Sequence, residues 1–189
     1  ETELYYSYNQ NERKSSTGFN AVYGAMFPFI NVGTELTFNR EDIVGNKIRY
    51  WDQLDSRIGL SLPLSTVKGK TFRNFNLSSF YVLRNEFNKG FFKDSVGNSS
   101  TSYLQHSFFW SQQVQRATQH IYPRFAYSLA STYRHAITTY TANQFITNGS
   151  LYLPGILPSH NLLMSGSFQE IDTLGQLSFA NRFAYSRGY

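Results

Sequence analysis

The stretch Ile48-Arg49-Tyr50-Trp51-Asp52-Gln53-Leu54-Asp55-Ser56-Arg57-Ile58-Gly59-Leu60-Ser61-Leu62 decides the fold. Ile48, Tyr50, Leu54, Ile58, Leu60 and Leu62 alternate with Arg49, Trp51, Gln53, Asp55, Arg57 and Ser61. Successive side chains of a strand point to opposite faces, so a period of two makes a strand with one apolar and one mostly polar face. The stretch shows no convincing helical spacing, since its six apolar positions Ile48, Tyr50, Leu54, Ile58, Leu60 and Leu62 all fit a period of two.

The same alternation recurs on both sides. Upstream, Ile30, Val32, Thr34, Leu36 and Phe38 oppose Asn31, Gly33, Glu35, Thr37 and Asn39. Downstream, Phe75, Leu77, Tyr81, Leu83 and Phe87 oppose Asn74, Asn76, Ser78, Arg84 and Glu86. Phe125, Tyr127, Leu129, Tyr133 and Ile137 oppose Arg124, Ser128, Thr132 and Arg134, and Leu177, Phe179, Phe183 and Tyr185 oppose Gln176, Ser178 and Arg182. These runs predict about ten strands, near residues 4–10, 18–27, 30–40, 47–63, 70–87, 101–116, 122–139, 145–154, 159–169 and 174–186, and no helix.

Composition says what such strands are for. Only 15% of the 189 residues are charged and 17% are aromatic, against roughly 25% charged in ordinary soluble domains. Neutral polar residues and Tyr replace the charged surface, which suits a sheet with one face in lipid and the other in water. Several runs reach about 16–18 residues, beyond the 5–6 usual in globular strands and the 9–11 that span a bilayer. Connections also alternate, with 11–17, 41–46 and 88–100 long, and Pro28-Phe29 and 64–69 tight. Long loops outside and short turns inside is the asymmetry of outer-membrane barrels.

A soluble β-sandwich would alternate too. Strand length, scarce charge and aromatics near strand ends (Tyr50, Trp51, Tyr103, Trp110, Tyr122, Tyr140, Tyr152 and Tyr185) argue against it, because Tyr and Trp favour the membrane interface. The expectation is an all-β, antiparallel transmembrane β-barrel in the bacterial outer membrane. Residues 1–189 would form a single barrel domain that is part of a larger barrel, with lipid as its first partner. The opening residue Glu1 rather than methionine suits a processed chain or a fragment. No run approaches the roughly 20 apolar residues of a membrane helix.

Signals for bond chemistry are missing. There is no cysteine, and His106, His120, His135 and His160 lack the spacing of metal pairs. Asp52 and Asp55, three apart on a strand, face opposite ways. No nucleophile elbow or phosphate-binding glycine loop occurs. The net charge of +5 is scattered, with Arg13-Lys14 its only run, so no nucleic-acid footprint forms. A binding or transport role without enzymatic activity or cofactor is expected. The candidate lumen-facing residues are Arg49, Arg57, Arg84, Arg124, Arg134 and Arg182, with Arg73 and Arg116 also on the polar faces. They suit either a lumen that favours anions or a hydrogen-bonded lining of a water-filled interior.

The chain ends Phe183-Ala184-Tyr185-Ser186-Arg187-Gly188-Tyr189. A strand running into Ser-Arg-Gly-Tyr resembles the Val-Arg-Gly-Phe/Tyr loop of the bacterial surface antigen family, the BamA/TamA-type assembly barrels. The run Gln119-His120-Ile121-Tyr122-Pro123-Arg124-Phe125, taken with Phe183 to Tyr189, looks like large Bacteroidota outer-membrane proteins with such a barrel at the C-terminus. Arg182-Phe183-Ala184-Tyr185 stands where that family has a glycine-rich approach. The resemblance implies a sixteen-stranded barrel into which a loop bearing Arg187, Gly188 and Tyr189 folds back. It also implies a role in assembly or export of outer-membrane proteins, with those clients, or periplasmic domains of the same chain, as partners. A porin-like channel for small, possibly anionic, solutes and an adhesin-like structural barrel are the alternatives.

Overall fold

A computed structural model describes residues 1–10, 14–44, 46–114, 125–138, 141–156, 160–172 and 179. Nine strands follow in chain order: β1 (Thr2–Asn9), β2 (Lys14–Tyr23), β3 (Phe29–Val44), β4 (Lys47–Lys68), β5 (Thr71–Asn88), β6 (Ser99–Val114), β7 (Ala126–Ala136), β8 (Asn143–Pro154) and β9 (Asn161–Ile171). One short helix, α1 (Phe91–Val96), lies between β5 and β6. The strands form a single sheet in the order β1 to β9. Every strand beside its sequence neighbour is the meander that short connections impose. The antiparallel registers include Tyr5↔Gly18, Asn20↔Gly33, Ser128↔Ser150 and Leu129↔Gly149. Among the described residues no ladder joins β9 to β1, so the sheet is open. The strand expected near 174–186 lies outside the described residues, as do Arg116, Tyr122, Arg124, Tyr140, Arg182, Tyr185, Arg187, Gly188 and Tyr189.

β3 and β4 are longer than the alternation predicts and the connections they flank correspondingly tighter, while β2, β5, β6 and β9 have the expected length. β4 runs through Pro63 to Lys68, because proline's fixed φ is compatible with extended backbone. The turn is then Gly69-Lys70 alone, with Gly69 at φ 59. Positive φ at the first of two turn positions is the type II′ hairpin pattern, and glycine is the residue that takes it without strain. β2 begins at Lys14, inside the expected 11–17 loop. The 88–100 connection, read as irregular, contains α1.

One local irregularity re-aims side chains. Asn39 has φ 56, its backbone N–H donates to Asp52 Oδ1 at 3.0 Å, and Thr37 is buried. Arg40, three residues beyond Thr37, reaches Gln53 on the same face as Thr37's alternation partners Glu35 and Gly33. Two residues three apart share a face only if an extra residue intervenes, which is a β-bulge.

The chain divides into two compact units, one of Glu1–Leu60, Phe80–Leu104 and Ala136–Thr139, the other of Ser61–Ser79, Gln105–His135 and Tyr140–Tyr189. In the first, Ile48, Tyr50 and Ile58 of β4 are exposed while Trp51 and Gln53 are buried. In the second, Leu64, Leu77, Leu129, Tyr133 and Phe168 are exposed while Arg134 and Gln144 are buried. Each unit thus inverts the usual rule: large apolar side chains stand outward, and polar ones are packed. No helix among the described residues is long and apolar enough to cross a membrane.

Candidate functional site: the arginine-rich polar face

In the first unit the polar face between β3 and β5 holds two hydrogen-bonded clusters that meet at the Trp51 ring. Arg84 donates from Nε and Nη2 to the two oxygens of Asp55, at 2.8 and 3.0 Å, a bidentate pair that fixes geometry as well as charge. Gln53 Nε2 donates to Asp55 at 2.7 Å, and Arg40 Nη1 donates to Gln53 Oε1 at 2.8 Å. Arg49 donates to Glu86 and to Asn88 Oδ1, both at 2.7 Å. Asn88 in turn donates to the Gly97 carbonyl at 2.5 Å, tying the strand to the loop beyond α1. Antiparallel pairing of β4 with β5 brings these residues together, since alternate positions of each strand share the face.

Trp51 sits where the two clusters meet, 7% exposed. The Arg49 guanidinium lies 4.7 Å and that of Arg40 5.5 Å from the centroid of its ring, so two cations engage the indole. Tyr103 is buried on the same face, with Arg84 5.8 Å over its ring and Arg84 Nη2 donating to its hydroxyl at 3.5 Å. Both aromatics were expected at the lipid interface. Their positions alternate with the exposed set instead, and the arginines beside them supply partners that lipid cannot.

Two glycines give the face its flat sites. A Cβ on Gly33 would come within 2.9 Å of Arg57 Nε, so the missing side chain lets Arg57 lie along the sheet and reach Asn20 Oδ1 at 3.4 Å. A Cβ on Gly18 would overlap the Tyr5 ring, which covers the cross-strand glycine. Asp52, on the opposite face from Asp55, pairs with Lys89 at 2.7 Å.

In the second unit, Arg134 is 5% exposed and donates to Gln105 Oε1 at 2.9 Å and Gln144 Oε1 at 3.1 Å. Its guanidinium lies 5.9 Å over the ring of Phe179. Phe179, expected to face lipid, is therefore buried beside a polar-face cation. Hydroxyl pairs Ser107–Thr132 and Ser128–Ser150 continue the polar face. Tyr152 shares the parity of Ser150 and so this face, whereas Trp110 and, in the first unit, Tyr50 are exposed on the apolar one.

The structure thus gathers Arg49 and Arg84 into two clusters that meet at Trp51, holds Arg134 on neutral amides, and leaves Arg57 exposed over Gly33. Sequence reasoning placed Gln53 and Gly33 on the polar face without a role and missed Arg40, Gln105, Gln144 and Gly18, which carry no signal without their cross-strand partners. Among the described residues no three His, Asp or Glu side chains converge as metal ligands. No protein-family model matches the chain, and no curated protein or solved structure matches it significantly. The described chain is an all-β protein built on one antiparallel nine-stranded sheet.

Proposed function

We propose that this sheet is the wall of an outer-membrane β-barrel of surface-antigen type, acting in the insertion or export of other outer-membrane proteins. The polar face lines a water-filled lumen and the apolar face meets lipid. One observation carries the membrane reading: on β4, Arg49, Gln53 and Asp55 are knit into hydrogen bonds while Ile48, Tyr50, Ile58, Leu60 and Leu64 remain exposed. Exposed apolar rows of that length have no place in water and are the requirement in lipid.

The assembly role is supported by the resemblance of Phe183 to Tyr189 to the family's Arg-Gly loop. A channel selective for anions has less support, because Arg49 and Arg84 already face Glu86 and Asp55. Depletion of the protein from its host, followed by quantitation of outer-membrane proteins, tests the role. Loss of several barrel proteins from the membrane is expected. Unchanged membrane proteins with impaired uptake of small anions would replace assembly by the channel.

A further inference from the structure

Between Asp55 and Glu86 the chain carries no acidic residue, yet it sets Lys68, Lys70 and Arg73 around the single hairpin that joins β4 to β5. Ser65 Oγ donates to Asn74 Oδ1 at 2.7 Å across that hairpin. Ser65 therefore stands opposite Asn74 on the polar face, and alternation puts Arg73, expected on the polar face, together with Lys68 on the apolar one, because it is one residue out of step with Asn74. Lys70 is in the turn itself.

Arg73 Nε donates to Gln112 Oε1 at 2.8 Å, and the Tyr127 hydroxyl donates to the same oxygen at 3.4 Å. The bond to Gln112 uses one nitrogen of the guanidinium. No carboxylate pairs with Arg73 among the described residues. Trp110 packs edge-on against Tyr127, ring centroids 5.4 Å apart, and Phe75 packs against Phe108 at 5.6 Å. From the turn inward the face reads cations, then amphipathic aromatics, then phenylalanines and Leu77. That is the order of headgroup, interface and hydrocarbon.

We propose that Lys68, Lys70 and Arg73, above Trp110 and Tyr127, bind the phosphate headgroup of an anionic glycerophospholipid in the leaflet on the turn side of the membrane. The proposal rests on the transmembrane reading. Charge complementarity selects the occupant: three cations with no local acid match a phosphodiester anion, and the guanidinium fork can bond two of its oxygens. Each such cation is worth about fivefold in affinity for an anionic bilayer.

The chain has two tryptophans. Trp110 is exposed on the apolar face and Trp51 is buried on the polar one, so bromine on lipid acyl chains reports on Trp110. The full chain is reconstituted in phosphatidylcholine vesicles containing brominated phosphatidylglycerol or brominated phosphatidylcholine. Stronger quenching by the brominated phosphatidylglycerol at equal mole fraction is expected. Arg73→Gln should weaken that preference about fivefold, and K68Q/K70Q/R73Q should abolish it. Arg73→Lys, which keeps the charge, and K47Q/K93Q, at the other end of the strands, should retain it.

Equal quenching by the two lipids, or a preference that survives the triple variant, overturns the proposal. Displacement by inorganic phosphate also overturns it, by making the site one for free anions. Absence of quenching by either lipid removes Trp110 from the bilayer, and the transmembrane reading fails with it.

Discussion

Replacing Leu129 by arginine tests which face meets lipid. Leu129 is exposed and stands opposite Gly149, so a long side chain fits there without a clash. β7 runs from Ala126 to Ala136, and Leu129 is two residues from its midpoint, about 7 Å along the strand at roughly 3.4 Å per residue. At a tilt near 45° that is about 5 Å along the membrane normal, well inside a half-thickness of about 15 Å. Arginine near the midplane costs about 2–4 kcal/mol. The neighbouring change, Ser128→Arg, falls on the polar face. Its main loss is the 2.7 Å contact between the Ser128 and Ser150 hydroxyls, worth about 1 kcal/mol. The two variants should therefore differ by about 1–3 kcal/mol, with L129R the weaker. In a water-soluble sheet the exposed site would tolerate arginine within about 0.5 kcal/mol, and S128R would be the worse of the two. Urea unfolding of the vesicle-inserted protein, followed by tryptophan fluorescence, measures both. Equal midpoints, or S128R below L129R, would refute the assignment of faces.

Four further outcomes follow from the polar face and its loops. A double-mutant cycle on Arg84→Gln and Asp55→Asn should give a coupling of about 1 kcal/mol in urea unfolding, modest because both side chains are 28% exposed. Trp51→Phe, which keeps a ring for Arg40 and Arg49, should cost at least 1 kcal/mol less than Trp51→Leu by the same assay, since each cation over the ring contributes about 0.5–1 kcal/mol. Gly18→Ala should destabilise by about 1–3 kcal/mol by displacing the Tyr5 ring, and should be nearly neutral in a Tyr5→Ala background; equal costs in both would remove the packing argument. Trypsin added to intact cells should cut at Lys93, which is exposed on α1 with no buried residue in that helix, before any site in the strands.

The strands and their faces were largely legible because period two is a local property. Leu77 and Tyr81 stand opposite Arg84 and Glu86 as the alternation requires, and the strand starts fall within a few residues of expectation. What alternation could not show is where it slips. The positive φ of Asn39 shifts the register by one residue and carries Arg40 onto the face of Gln53, and nothing in Phe38-Asn39-Arg40 announces it. Aromatic residues were the second weak point. A Tyr or Trp signals an amphipathic surrounding, which the lipid interface provides and a row of arginines provides equally well. Tyr50 and Trp51, adjacent in sequence, consequently part, Trp51 buried beside the arginines and Tyr50 exposed on the apolar face. α1 was missed because six residues carry too little periodicity. Its flanks are fixed by tertiary bonds, from the Lys89 N–H to the Tyr50 carbonyl and from the Asn88 amide to the Gly97 carbonyl.

The way the arginines are satisfied bears on what the proposed lumen could do. An isolated guanidinium on a wall of low dielectric raises the local potential for anions, and a ring of them makes a selectivity filter. Here Arg84 spends its fork on Asp55, Arg49 bonds Glu86 and Asn88, and Arg40 and Arg134 reach glutamine carbonyls. Arg84 and Arg49 are neutralised by their carboxylates, and each partner comes from another strand, so every bond also staples neighbouring strands. Such staples hold the register of neighbouring strands where polar side chains take the place of apolar packing. Arg57 is the exception: exposed, flat over Gly33, and bonded to an amide oxygen at 3.4 Å. If conduction of anions were the selected property, the paired arginines should resemble Arg57. Their pairing favours a structural lining over an anion path, in keeping with the proposed barrel, which would have to hold its shape while other chains fold against it.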